Sequence, residues 1–139
     1  MPGLALGRRL TAACAVSVAL LAGCSSASSS SKPAVCAGLD SLKAAVSGLK
    51  DTTVSASGFS AVSGQLSKVR QQLQAVEKDA KGQYATQVAG LSDAIDSLSS
   101  SLDAAKADLT GATLTAVAVA AGSVVTAGQS LVTAVSDTC

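Results

Sequence analysis

The chain has 139 residues, 48% hydrophobic by a broad count, 14% charged and 1% aromatic, with a formal net charge of +1 and no histidine. The missing histidine excludes a Ser-His-Asp triad, a Cys-His pair and any imidazole metal site. The near-zero charge gives no electrostatic footprint for nucleic acid.

Residues 1–23 read as an export signal. Arg8 and Arg9 form a short basic n-region, and Leu10 to Ala22 is an uncharged stretch rich in Ala, Val and Leu. That stretch is shorter than the ~20 apolar residues of a spanning helix and has the size of a signal h-region. Small residues at 22 and 23 let the backbone approach a membrane enzyme, and Cys24 offers a thiol for alkylation. The tetrapeptide Leu21-Ala22-Gly23-Cys24 resembles the lipobox of bacterial lipoproteins. The resemblance implies a diacylglyceryl group on the Cys24 sulfur and signal-peptidase cleavage between Gly23 and Cys24, often with acylation of the new amino group. The implied localisation is the cell membrane, lipid-anchored on its extracytoplasmic face, since two or more acyl chains anchor stably where one does not. An ordinary cleaved signal with an incidental cysteine and an uncleaved anchor are the competing readings. Gly7 before the arginine pair and Leu10-Thr11 after it match a twin-arginine signal poorly, so the export route stays open.

Residues 24–34 read as a flexible tether. Six of the ten residues in CSSASSSSKP are serine, and such a segment buries too little apolar surface to offset its ordering entropy. It spans roughly 20 Å r.m.s. as a coil.

From residue 35 to 139 apolar residues recur at spacings of three and four, which predicts helices. Four series run through Val35–Leu49, Phe59–Val76, Tyr84–Leu109 and Leu114–Val135. The segment 51–58 carries turn chemistry, with Ser57 as a candidate cap for the next helix, and Thr110-Gly111-Ala112-Thr113 offers a left-handed glycine followed by a capping threonine. The break at Lys81-Gly82-Gln83 is weaker. It is a hairpin turn or a stutter within one long helix. The expected fold is therefore an all-α up-down bundle of four helices, or three if the second and third are fused, with four preferred because they shield more apolar surface.

Cys14 lies in the signal and Cys24 is assigned to lipid, which leaves Cys36 and Cys139 to form one disulfide in an exported protein. In an up-down bundle the two fall at the same end. Closing a loop of about 100 residues stabilises by roughly 4–5 kcal/mol in the chain-entropy model. Free thiols or a metal site are the alternatives, and two cysteines without histidine make a poor metal site.

The stretch between Asp108 and Asp137 contains no charge and approaches transmembrane length. Gln129, several Ser and Thr, and the lack of flanking Lys or Arg favour a helix inside the bundle. An extra stripe at Ala118, Val125 and Val132 predicts that this helix is the most buried of the four.

No catalytic constellation emerges. Asp93 and Asp96 share a helix face but lack the Glu-x-x-His partner of a di-metal site, and no phosphate-binding glycine loop is present. Glu77–Lys81, Asp40–Lys43 and Asp103–Lys106 are spaced for pairs along one helix. Lys68, Arg70, Lys78 and Lys81 concentrate positive charge on the second helix and acidic residues dominate the third, an asymmetry that attraction between the two helices explains as well as any partner does. The Ala-, Ser- and Gly-heavy composition is similar to that of small lipoproteins of high-GC actinobacteria. The expected function is a non-enzymatic interaction or spacer module of the cell envelope without cofactor, its partner an unidentified envelope protein. The alternative is an apolar-ligand or lipid carrier using a cavity left by small core residues.

Overall fold

The computed structural model describes residues 33–139. The signal segment, Gly23, Cys24 and all but the end of the tether lie outside the described residues. Four helices follow one another: α1 (Ala34–Lys50), α2 (Phe59–Ala80), α3 (Ala85–Ala107) and α4 (Gly111–Ser136). Among the described residues there is no strand. Helix α1 packs on α2 and α4, and α3 packs on the same two, which is the square of an up-down bundle.

The three/four periodicity produces the core directly. Val35, Leu39, Leu42, Val46 and Leu49 are buried from α1, Val62, Leu66, Val69, Leu73 and Val76 from α2, Val88, Leu91, Ile95, Leu98, Leu102 and Ala105 from α3. Helix α4 adds Val117, Ala121, Val124, Gly128, Leu131 and Val135. Apart from Gly128, which contributes only backbone, these side chains form one continuous cluster. Ala34, assigned to the tether by composition, is already helical. Leu109 is half exposed because α3 stops at Ala107, two residues before the apolar series does.

Each connection has its own chemistry. At the end of α1, the Thr52 hydroxyl donates to the Gly48 carbonyl at 2.6 Å, satisfying one terminal acceptor. The 51–58 loop then tightens through the Gly58 N–H, which donates to Ser55 Oγ at 3.0 Å. Ser55, not Ser57, organises this turn, and α2 starts behind Gly58 without a side-chain cap. A Cβ at Gly58 would strike the Thr53 carbonyl oxygen, so the turn requires glycine. Helices α2 and α3 are separate: Lys81, Gly82 and Tyr84 have φ of 49°, 85° and 64°. The fused three-helix arrangement is thereby excluded. Before α4, Thr110 is the N-cap and forms a capping box with Thr113. Thr113 therefore sits in the first turn as the partner of the cap, and Gly111 begins the helix with ordinary backbone angles.

Helix α4 departs from the expectation that it is the most buried. Ala118 is exposed, Val125 and Val132 are only half-buried, and Val119 is 67% exposed. Only 28% of its most apolar 18-residue window is buried. A corner helix in a square touches two neighbours, so one stripe is covered and the second stripe is left at the edge.

Candidate functional site

Cys36 and Cys139 form the bundle's disulfide, with Cα atoms 5.8 Å apart across a sequence separation of 103. The spacing is that of an ordinary bridge. Cys36 sits buried in the first turn of α1, and Cys139 follows the end of α4. The α2–α3 turn lies at this same end, where the half-buried Tyr84 shares a hydrogen bond with Thr138. The sequence offered no signal for that contact beyond Tyr84 being the lone tyrosine.

Two long seams carry the remaining polar groups. On the α2–α3 seam, Arg70 Nη2 lies 3.8 Å from Asp96 Oδ1 and donates to Ser99 Oγ at 2.7 Å. The expected attraction between basic α2 and acidic α3 is thus realised by one arginine. Open clefts of about 420 Å³ and 390 Å³ lie along this side, the first beside Gly82 and Gln83, the second around Arg70, Asp103 and Lys106. Asp103 and Lys106 pair at 3.2 Å as their spacing predicts. Glu77 and Lys81 form no pair among the described residues, because the backbone leaves the helix at Lys81 and carries its side chain away from the next turn. Asp40 and Lys43 are likewise not paired among the described residues. Asp93 and Asp96 are both exposed, and Asp96 faces Arg70 rather than a shared ion.

On the α1–α4 seam, Gly128 allows a close approach: a Cβ there would come within 2.6 Å of Val46 Cγ2. Alongside this contact runs a cleft of about 350 Å³ between Lys43, Ser47 and Lys50 of α1 and Gln129, Val132 and Thr133 of α4. A second cleft of about 230 Å³ continues past Lys50 over Leu49, Val54, Ala121 and Val125. The sequence reading missed this groove. Its trace was Lys43 and Lys50, seven residues apart on the flank of α1 that meets α4.

Among the described residues, no group of three or more His, Cys, Asp or Glu side chains is close enough to hold a metal ion. Buried polar or charged residues are also absent among them. Helix α4 is long and apolar enough to cross a membrane by length and composition, with a mean hydropathy of 1.5 in its best window. The described part of the chain is a small helical domain with no recognisable catalytic motif and one marginally membrane-apt helix. No protein-family model, curated protein or solved structure matches the chain.

Proposed function

We propose that the chain is a lipoprotein of bacterial type, anchored through Cys24 on the extracytoplasmic face of the cell membrane. There it serves as a non-enzymatic interaction or spacer module of the envelope. The observation that carries this reading is the Leu21-Ala22-Gly23-Cys24 tetrapeptide placed behind Arg8-Arg9 and an uncharged apolar run. Export sequences of this build are processed at the small residues, and the cysteine is left at the new terminus for acylation. The Cys36–Cys139 disulfide supports the reading independently, because such bridges persist in oxidising compartments and are rare in the cytosol. The serine-rich run after Cys24 supports a spacer role, holding a rigid body a short distance above the lipid.

The intact mass of the protein recovered from cells tests the proposal. The expected mass corresponds to a chain beginning at Cys24, increased by diacylglyceryl and acyl groups, and rising by two hydrogens on reduction. Cys24→Ala moves the protein out of the membrane fraction. A chain that still begins at Met1 and stays soluble without modification overturns the assignment.

A further inference from the structure

We propose that the groove between α1 and α4 binds a fatty-acid-type ligand, one acyl chain ending in a carboxylate. This goes beyond anchoring, because it concerns a site on the folded body and not the Cys24 lipid.

Three observations lead there. The groove has a polar section and an apolar section joined at Lys50, which lines both clefts. The polar section presents Lys43 and Lys50, and among the described residues the two ion pairs are Arg70–Asp96 and Asp103–Lys106, so neither lysine has a carboxylate partner. The apolar section is walled by Leu49, Val54, Ala121 and Val125, with no charge contributed by α4 along its whole length. Two cations beside an apolar slot complement an anionic head with a hydrocarbon tail.

The geometry places the head and the tail. Lys43 and Lys50 are separated by about 10.5 Å along the helix axis, a span their long flexible stems can close from both sides over the intervening turn at Ser47. A carboxylate held there receives charge-assisted hydrogen bonds. Gln129 and Thr133 close the polar side, and the acyl chain runs toward Val54 and Val125. The α2–α3 seam offers no such match, since its arginine already faces Asp96 and its second cation Asp103.

Photocrosslinking tests this on the full chain held in phosphatidylcholine nanodiscs. The probe is a diazirine-bearing dodecanoate, compared with the corresponding uncharged alcohol. The acid is expected to label peptides containing Lys43–Val54 and Ala118–Thr133 roughly tenfold more than those of α2 and α3. Lys43→Gln combined with Lys50→Gln lowers that labelling about tenfold, to the level of the alcohol. Ala118→Leu, at an exposed position beside the apolar cleft, lowers labelling with both lysines intact. Unchanged melting temperatures for these surface variants separate loss of the site from loss of the fold. Acid labelling spread evenly over the bundle, centred on the α2–α3 seam, or indifferent to both lysines overturns the proposal. The readout does not depend on whether Cys24 carries lipid.

Discussion

The α1–α4 and α2–α3 seams stand on opposite sides of the square and are built on different terms. Helices α2 and α3 are neighbours in the chain, joined by the turn at 81–84, and their seam is the least extensive of the four. Open clefts lie along it, and Arg70 bridges it at the surface. Helices α1 and α4 are separated by two whole helices, and their seam is closed by a disulfide at one end and by the Gly128–Val46 approach along its length. Loop-closure entropy bears on the distant seam. A four-residue turn holds α2 and α3 together at little loop-closure cost, although the α3–α4 seam, with a connection just as short, is the most extensive of the four. Bringing residue 36 to residue 139 costs more, and that seam carries the covalent link and the Gly128–Val46 approach.

The largest effect is therefore expected from opening the distant seam. Cys36→Ser with Cys139→Ser removes a cross-link that the chain-entropy relation values at ~4.7 kcal/mol. Urea melts should show most of that loss, and hydrogen exchange should rise first near Val135 and Val35, at the released end. A small domain with Ala, Val and Leu in its core and almost no aromatics has little stability to spare. If the double variant melts within ~1 kcal/mol of the parent, the entropic reading of the α1–α4 seam fails.

The next effect comes from a single methyl group. Gly128→Ala forces Cβ against the Val46 methyls and should cost ~1–2 kcal/mol even after the gain in helix propensity. Val46→Ala made in the same chain removes the obstructing atoms, so the pair should couple favourably in a double-mutant cycle. Gly90→Ala on the exposed side of α3 meets nothing within 4 Å and should instead stabilise by ~0.5–1 kcal/mol. Equal effects at both glycines would mean that the α1–α4 approach is not close.

How much of this was legible in the sequence follows from the kind of information each feature uses. The core was legible because burial on a helix repeats at 3.6 residues: Leu42, Leu91, Leu98 and Leu131 are fully buried at positions the spacing marks. The disulfide was legible because the expected up-down order brings Cys36 and Cys139 to one end of the bundle. The burial of α4 was misread because composition counts apolar residues without regard to direction. Ala118, Val125 and Val132 are apolar, yet a corner position turns them toward the rim. Two turns were misread by two or three residues, since Ser55 and Ser57, or Thr110 and Thr113, are chemically equivalent in sequence and only the backbone path chooses between them. The Lys43–Lys50 groove was not legible at all. It exists only once two helices 60 residues apart are set side by side with Val132 and Val125 at the margin. For residues 1–32 the reading rests on the sequence motif.

The smallest expected effect sharpens the contrast from the other side. Arg70 is the cross-helix cation of the α2–α3 seam, but its side chain is 46% exposed and that of Asp96 76%. Exposed pairs contribute ~0–1 kcal/mol, because the charges remain solvated and both side chains lose freedom. Arg70→Ala should therefore shift stability by ~0.5 kcal/mol or less, and raising the salt to ~1 M, where screening acts over about 3 Å, should weaken the parent by no more than the same amount. Fluorescence from Tyr84, which sits in the turn joining these helices, reports whether that turn holds when the arginine is gone. A large loss, with the turn opening, would mean that the surface pair fastens the seam. It would also reverse the argument that chain proximity does so.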